Sequence, residues 1–270
     1  MKKKKFFILL FFIVVLAIVL LSTVFYLIYK NNLKWHENNP LIAHALYGID
    51  DNSYTNSYEA LELGYSKGLR VFEADFLLTS DNYLVLNYVW ENSEVLSYEE
   101  FMSHKIQGKY TPMDIKSLLI YLKEHKDIYI VVDTKQDMFD ITKFFDVYSK
   151  IVEEANNIDS KLLNRFIIQI YNYEDLKTIK EIYDFKDYIF TIYKLTKLSI
   201  QELTTFCETN NIDTLVFPYE YIYNRKLNRH DIKFIKDYNL KIYTHTINDA
   251  AMYEYFLMNG VDGVFTDFLY

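Results

Sequence analysis

The hydrophobic positions from Pro40 onward fall into two alternating patterns. Short apolar, β-branched runs alternate with longer stretches in which apolar residues recur every three or four positions, which is typical of parallel strands joined by crossover helices. Eight runs are predicted to be strands: LIAHAL, LRVFEADFLL, IYIVVDTK, RFIIQIY, YIFTIYK, TLVFPY, KIYTHTI and DGVFTD. This alternation over residues 41–267 predicts an α/β protein with a (β/α)8 TIM-barrel fold. An open, doubly wound sheet is the alternative, which the strand count disfavours.

One segment departs from this alternation. Residues 82–112, NYLVLNYVWENSEVLSYEEFMSHKIQGKYTP, follow the second predicted strand. The segment is longer than the connections usually found between such elements, and long excursions of this kind are often functional. We therefore expect residues 82–112 to contribute to function.

The amino terminus carries a different hydrophobic pattern. Phe6–Tyr29 contains no charged residue, and as a helix it would be about 36 Å long at 1.5 Å per residue. That length is sufficient to cross a bilayer. We expect residues 1–30 to form a basic tip and a single transmembrane signal-anchor, and residues 31–270 to form one domain. A secretory signal that stays uncleaved is the alternative, and it leaves the domain on the same side of the membrane.

The distribution of charge orients this anchor and excludes one class of partner. Lys2–Lys5 outnumber Lys30 and Lys34, so the positive-inside rule predicts a cytoplasmic amino terminus. The protein would then be a single-pass protein of the cell membrane, with residues 31–270 on the extracytoplasmic side. Without residues 1–30 the chain keeps 24 Lys and Arg against 37 Asp and Glu, a formal net charge of −13. So acidic a domain is unsuited to nucleic acid, because binding there depends on neutralising phosphates.

Polar residues that lie late in the predicted strands are the candidates for chemistry, because barrel active sites form at the carboxyl ends of the strands. His44 lies late in the first run. Glu73 and Asp75 are two residues apart on the second, so their side chains point to the same face. Asp133 and Lys135 repeat this spacing on the third. We expect these residues to meet at one mouth of the barrel.

The three carboxylates predict a metal site. Buried carboxylates are unfavourable unless they are paired or bound to a metal. Cys207 is the only cysteine, so the ligands at this mouth are oxygen atoms, which suit Mg²⁺ or Ca²⁺. We therefore interpret Glu73, Asp75 and Asp133 as ligands of a divalent cation. An ion pair between Asp133 and Lys135 is the alternative for the third strand.

The segment IAHALYGIDDNSYTNSYEALELGYSKGLRVFEADFLLTSDNYLVLNYVW resembles the opening of glycerophosphodiester phosphodiesterases and of their barrel relatives, the phosphatidylinositol-phospholipase-like enzymes. In that family a histidine ends the first strand, an Asn-Ser or Asn-Thr helix start follows, and a Glu-x-Asp pair and a Thr-x-Asp-Gly turn come next. YTNSYEAL and FEADFLLTSDN match these features. IYIVVDTK resembles the family's acid-x-Lys strand and GVDGVFTD its final strand, so the resemblance extends over nearly all of residues 31–270.

This resemblance implies an activity and a role for each candidate residue. The chain would be a metal-dependent phosphoric diester hydrolase acting on glycerophosphodiesters, or on related lipid head-group or wall-polymer phosphodiesters. His44 would be one of two general acid/base histidines, and Lys135 would contact the phosphate. Glu73, Asp75 and Asp133 would hold the cation, Ca²⁺ or Mg²⁺.

The chain departs from the family at two signature positions. Ala45 and Leu46 replace the Arg-Gly that commonly follows the first histidine, which removes a guanidinium clamp on phosphate. Tyr88 and Val89 replace the His-Asp pair after the second strand. A tyrosine hydroxyl can donate a proton but is a weak base at neutral pH.

The missing imidazole leaves several interpretations open. Tyr88 itself, His245 late in the seventh strand, or His104 in the long segment could take its role. Gln169 also lies late in a strand. A catalytically degenerate barrel that binds a phosphorylated polyol or sugar at the cell surface is the alternative function. A structural surface protein whose carboxylates pair with lysines is a third.

Overall fold

The computed structural model describes residues 11–25, 34–90, 94–134, 141–192 and 199–270 of the chain. The chain divides into two units, Met1–Asn38 and Asn39–Tyr270. In the first unit, residues 11–25 are helical. Within the described residues, no helix combines the length and the apolar character needed to cross a membrane. The two ends of the predicted anchor, residues 6–10 and 26–29, lie outside the described residues.

The second unit is a closed barrel of parallel strands. Its eight strands in the described chain are β1 Leu41–Ala43, β2 Val71–Leu78, β5 Tyr129–Thr134, β6 Phe166–Ile170, β7 Asp187–Thr191, β8 Thr214–Pro218, β9 Lys241–His245 and β10 Gly263–Thr266, and two further strands, β3 Leu84–Leu86 and β4 Met113–Asp114, extend the sheet from β2. Ala43 of β1 is in register with Thr266 of β10 on one side and with Phe72 of β2 on the other. The ring is therefore closed, which confirms the predicted TIM barrel and excludes the open sheet.

Helices separate the barrel strands along the chain, as the alternating hydrophobic pattern predicted. They are α1 Tyr58–Ser66, α2 Tyr98–Ser103, α3 Ile115–Glu124, α4 Ile141–Ile158, α5 Tyr173–Ile182, α6 Ile200–Thr209, α7 Tyr219–Tyr223, α8 Arg229–Asp237 and α9 Ala250–Met258, with short 3₁₀ helices at His44–Leu46 and Ser160–Arg165. Polar side chains cap many of the helix starts by accepting a backbone N–H bond. Ser199 and Asn172, for example, each form a capping box with the acidic residue three positions later, which satisfies otherwise unpaired backbone donors.

The core explains why polar residues in the strands are informative. Every residue of β2 and of β6 is buried, because barrel strands face packed side chains inside the ring and helices outside it. Within these strands and β5, Glu73, Asp75, Asp133 and Gln169 are buried with the apolar residues. A charged group in such surroundings needs a compensating partner.

The long segment after β2 forms an excursion from the barrel. β3 pairs antiparallel with β2, and β4 pairs antiparallel with β3. Residues 87–112 between them, named here the β3–β4 excursion, include α2. Tyr98 at the start of α2 donates a hydrogen bond to Asp114 Oδ2 at 2.8 Å. Asp114 also caps α3, so the excursion is tied to the barrel scaffold.

The first strand is shorter than predicted. LIAHAL was expected to be one strand, but β1 ends at Ala43 and a 3₁₀ turn follows. Ala45, Leu46 and Tyr47 have positive φ angles of 47°, 65° and 96°. The turn directs Ala45 N toward Glu73 Oε2, 2.6 Å away. The chain therefore bends away from the strand direction at His44, and Ala45 contacts a carboxylate at the mouth of the barrel.

Candidate active site

Three carboxylates meet at the carboxyl ends of β2 and β5. Asp75 and Asp133 are register partners on adjacent strands, and Glu73 lies two residues before Asp75 on the same face. One oxygen from each of the three groups lies within 4.8 Å of the others, and all three residues are buried. Like charges this close repel one another in a low-dielectric environment. A cation at the centre of the cluster would relieve this repulsion.

Two of the carboxylates are fixed by groups from the loop after β1. Asn56 Nδ2 donates to Asp75 Oδ2 at 2.7 Å, and Asn56 Oδ1 accepts from Asp75 N at 3.0 Å. Ala45 N donates to Glu73 Oε2 at 2.6 Å. Asn56 was not among the predicted site residues, although it belongs to the Asn-Ser helix start. It orients a carboxylate in the way that outer-shell partners orient metal ligands.

The third carboxylate is held by a tyrosine that sequence reasoning did not identify. Tyr171 donates a hydrogen bond to Asp133 Oδ1, and Gln169 Nε2 donates to the Tyr171 hydroxyl oxygen at 2.5 Å. Gln169, which lies late in a predicted strand, borders the same space as His44, Glu73 and Asp133. Tyr171 follows β6 directly, so its position at a strand end was the available signal.

His44 is paired with a carboxylate from the last strand end. His44 Nδ1 lies 2.9 Å from Asp267 Oδ1. Asp267 is itself held by Asn248, whose Nδ2 donates to Asp267 Oδ2 at 2.7 Å and whose Oδ1 accepts from Asp267 N at 2.7 Å. A carboxylate only accepts, so Nδ1 carries the proton and Nε2 of a neutral His44 keeps its lone pair. This pairing orients the His44 ring, and Asp267 was missed although it is the last residue of the predicted strand DGVFTD.

One small cavity brings the candidates together. Its lining residues are His44, Glu73, Asp133, Gln169, His245 and Phe265. His245 ends β9 and lines this cavity together with His44, so two imidazoles and two of the clustered carboxylates share it. His245 therefore borders the same space as His44 and the carboxylates.

The other candidates lie elsewhere. The Tyr54 ring packs edge-on against the His44 ring, with centroids 4.9 Å apart, and Tyr88 packs on Tyr54 at 4.4 Å. Tyr88 and His104 line a second, larger cavity of about 600 Å³ instead. In this cavity His104 Nδ1 lies 2.6 Å from its acceptor, the carbonyl oxygen of Glu100. Lys135 lies outside the described residues.

The carboxylate cluster fits a divalent cation. All of its donors are oxygens, and no cysteine is available, which suits Mg²⁺ or Ca²⁺ rather than a thiolate-bound metal. The hydrogen bonds from Asn56, Ala45 and Tyr171 leave each group oriented toward its neighbours in the manner of a supported ligand set. Glu73, Asp75 and Asp133 would hold the ion.

The fold and the site together define a (β/α)8 barrel whose mouth combines two histidines with a carboxylate cluster suited to a metal. The model of the Glycerophosphoryl diester phosphodiesterase family matches residues 48–270. The chain belongs to this family of phosphoric diester hydrolases, which confirms the resemblance inferred from the sequence. His44 lies just before the matched residues. No curated protein matches the chain significantly.

Solved structures share the fold. A glycerophosphodiester phosphodiesterase from Parabacteroides distasonis is 20% identical, with 85% of this chain and 93% of that chain covered and a TM-score of 0.69. A phosphodiesterase from Oleispira antarctica, solved in complex with the product sn-glycerol-3-phosphate, is 16% identical, with 84% and 92% covered and a TM-score of 0.66. A glycerophosphodiester phosphodiesterase from Thermotoga maritima is 18% identical, with 86% and 96% covered and a TM-score of 0.61.

Proposed function

We propose that the protein hydrolyses glycerophosphodiesters, or related lipid head-group or wall-polymer phosphodiesters, with a divalent cation held at the barrel mouth. The observation that carries this proposal is the shared cavity, in which the Asp267-bound imidazole of His44 faces the cluster formed by Glu73, Asp75 and Asp133. The Oleispira antarctica neighbour, solved with sn-glycerol-3-phosphate, supports a glycerol phosphate ester as the substrate class.

In the proposed reaction, the oxygen of a water molecule forms a bond to phosphorus and the bond from phosphorus to the leaving alcohol oxygen breaks. His44 Nε2 takes one proton of the attacking water, and Asp267 stabilises the imidazolium that results. A protonated His245 donates its proton to the leaving oxygen, and proton exchange with solvent restores both imidazoles. Lys135, by the family resemblance, neutralises charge on the phosphate. When bound, the cation polarises a phosphoryl oxygen and lowers the pKa of a hydroxyl.

The test is an assay of the full-length chain against a panel of glycerophosphodiesters with Ca²⁺, Mg²⁺ or EDTA. We expect metal-dependent turnover that is abolished in Asp75→Asn and reduced by a factor on the order of 10² to 10⁴ in His44→Ala. Asp237→Asn, which removes an exposed carboxylate on α8, is the matched control and should retain turnover. Failure to hydrolyse any diester with any cation would contradict the proposal.

The altered signature positions favour one alternative. Tyr88 stands where the family has its second histidine, and Ala45 and Leu46 replace Arg-Gly, so a barrel that keeps the metal cluster and binds a phosphorylated polyol or sugar without cleaving it is the second candidate. It predicts that a divalent cation raises the melting temperature of the wild type but not of Asp75→Asn, with no product formed. Metal-dependent turnover lost in His44→Ala would rule it out.

We also propose that the amino-terminal segment anchors the enzyme in the cell membrane with the barrel outside. The uncharged run Phe6–Tyr29 and the preceding Lys2–Lys5 support this orientation. The full-length chain should sediment with membranes after high-salt and carbonate washing. Protease added to intact cells should degrade residues 31–270. Recovery of the barrel in the soluble fraction, or its protection in intact cells, would overturn the proposal.

A further inference from the structure

The carboxyl-terminal end of the β3–β4 excursion contacts the loop that follows β1. This loop, residues 47–56, is named here the β1–α1 loop. Tyr110 of the excursion is buried, and its hydroxyl oxygen accepts a hydrogen bond from Asn52 Nδ2 at 3.1 Å. The hydroxyl proton has two acceptors within reach, Asp50 Oδ2 at 3.2 Å and Ile49 O at 3.3 Å. One buried side chain therefore joins the excursion to the β1–α1 loop.

The contacted part of the loop is a tight turn. Ile49 and Asn52 exchange two backbone hydrogen bonds of 2.8 Å, and Asp50 and Asp51 between them have positive φ angles of 49° and 64°. Two positive φ angles are typical of type I′ turns, which favour Asn-Gly and Asp-Gly pairs. This conformation is unfavourable for residues with a side chain, so the turn depends on contacts from outside it.

An ion pair at the same place contributes less than Tyr110. Lys109 Nζ donates to Asp50 Oδ2, but the two side chains are 62% and 56% exposed. Solvent and salt screen such exposed pairs, and the entropy of two long side chains opposes them. The buried Tyr110 hydroxyl is therefore the contact that fixes the turn.

A ring that contacts the proposed base follows this turn. Tyr54 comes two residues after the turn, and its ring packs edge-on against the His44 ring at 4.9 Å. Asn56, two residues further on, is held separately by its hydrogen bonds to Asp75. Tyr54 therefore lies between two fixed points of the β1–α1 loop, and Tyr110 supplies the first of them.

We propose that Tyr110 is a positioning residue for the reaction, which fixes the turn at residues 49–52 and thereby keeps the Tyr54 ring against the imidazole of His44. The inference rests on the proposed phosphodiesterase function, and it assigns a role to the long segment after β2. Held by Asp267 at Nδ1 and by Tyr54 at the ring, the imidazole keeps Nε2 in one place. Tyr110 acts through the loop rather than on the substrate.

The reactivity of His44 tests this role without any substrate. Diethyl pyrocarbonate acylates accessible, unprotonated imidazole nitrogens, and peptide mass spectrometry of the full-length chain gives the rate at each histidine. The His44 side chain is only 12% exposed. We expect Tyr110→Phe to raise the His44 rate by a factor on the order of ten, because the lost hydroxyl bonds let the turn open more often. His230, exposed on α8, should react at an unchanged rate.

Two comparisons separate positioning from a general loosening of the excursion. Tyr98→Phe removes another hydroxyl bond of the excursion, the one to Asp114, and should leave the His44 rate as in the wild type. Tyr54→Ala should itself accelerate the modification, and adding Tyr110→Phe to it should change nothing further, because both substitutions remove the same contact. Equal acceleration in Tyr98→Phe, or full additivity of the two substitutions, would overturn the inference.

A glycine in the turn should restore the wild-type behaviour. Asp51 is exposed, and Asp51→Gly gives the turn the Asp-Gly pair that type I′ geometry favours. Added to Tyr110→Phe, this substitution should return both the His44 rate and kcat toward the wild-type values. A double variant that stays as reactive as Tyr110→Phe would overturn the part assigned to the turn.

Kinetics on glycerophosphodiesters complete the test. Tyr110→Phe should lower kcat by a factor on the order of ten, while divalent cations raise the melting temperature as in the wild type. Wild-type turnover with an unchanged kcat in Tyr110→Phe, or equal His44 rates in the two chains, overturns the positioning role and leaves the proposed function intact. Absence of turnover in the wild type removes the proposed function, and faster modification of His44 in Tyr110→Phe then still supports the positioning of the ring.

Discussion

His44 sits at the start of a turn that L-residues rarely adopt. Ala45, Leu46 and Tyr47 follow it with positive φ angles, although this region costs about 1–2 kcal/mol for a residue with a side chain. The turn places Ala45 N in a hydrogen bond with Glu73 and buries Leu46 completely. The Arg-Gly of related sequences suggests the same turn with a residue that adopts it freely. This chain instead relies on surrounding contacts to hold it.

The partner of His44 gives the first prediction. Asp267→Asn keeps the shape of the side chain but removes the negative charge that stabilises the imidazolium. We expect kcat to fall by a factor on the order of 10² or more, while divalent cations still raise the melting temperature, because Glu73, Asp75 and Asp133 are unchanged. The measurement is steady-state kinetics beside thermal melting, with Asp237→Asn as the control. An unchanged kcat would remove Asp267 from the proposed mechanism.

A glycine near this pair gives the second prediction. Gly48 donates its N–H to Asp267 O at 2.7 Å, and an added Cβ would overlap the Phe268 ring and lie 2.7 Å from Asp267 O. Gly48→Ala should therefore displace the carboxylate that orients His44, lowering the free energy of unfolding by about 1–3 kcal/mol and lowering kcat as well. Gly68→Ala is the control, because it has a positive φ but open space around it. It should cost stability and leave kcat unchanged.

At the scale of elements, one carboxylate at the base of the β3–β4 excursion joins two helices. Asp114 accepts from Ser117 N at 2.7 Å as the cap of α3 and from the Tyr98 hydroxyl at 2.8 Å. Burial and this bond to Asp114 raise the pKa of Tyr98 to about 12, so the hydroxyl remains a donor at neutral pH. One side chain therefore joins the start of α2 to the start of α3.

Removing that connection gives the third prediction. Asp114→Ala should lower the free energy of unfolding by about 2 kcal/mol, roughly 1 from the lost cap and roughly 1 from the lost Tyr98 bond. Ser199→Ala, which uncaps α6, should cost about 1 kcal/mol. Denaturant titrations measure both losses, and an equal loss of stability in the two variants would contradict the additional role assigned to Asp114.

The strands could be predicted from the sequence, whereas several partners of the site residues could not. All eight barrel strands were predicted, because each is a short apolar run and period and length are local properties. The partners Asn56, Tyr171 and Asp267 were missed, because each acts on a residue far along the chain that becomes a neighbour only when the strands align. The resemblance made Tyr88 a catalytic candidate, and the structure shows that it lines the larger cavity and packs on Tyr54, which contacts the His44 ring.

At the scale of the whole molecule, tyrosine burial predicts sensitivity to alkali. Burial raises the pKa of Tyr47 from 10.0 to about 12, and it also raises the pKa values of Tyr148, Tyr188 and Tyr243. The folded state holds these protons more tightly, so their contribution to stability is complete below pH 10 and is lost as the pH rises toward 12 and beyond.

The fourth prediction follows from that sign. The free energy of unfolding should fall steeply above pH 10 in denaturant titrations, and Tyr47→Phe should make the fall shallower. Tyr223→Phe, which changes an exposed tyrosine, should leave the slope as in the wild type. A free energy of unfolding that is flat between pH 10 and 12 would show that these hydroxyls ionise equally in both states.

The hydrogen bond between His44 and Asp267 joins residues 223 positions apart, and it forms only where β1 lies beside β10. A chain whose last strand has not docked can have β2 and β5 in place and still lack the base of the proposed reaction. The onset of turnover during refolding therefore reports when the barrel closes. During refolding, circular dichroism reports helices and strands as they appear, while the onset of hydrolysis marks the later moment at which the first and last strands meet.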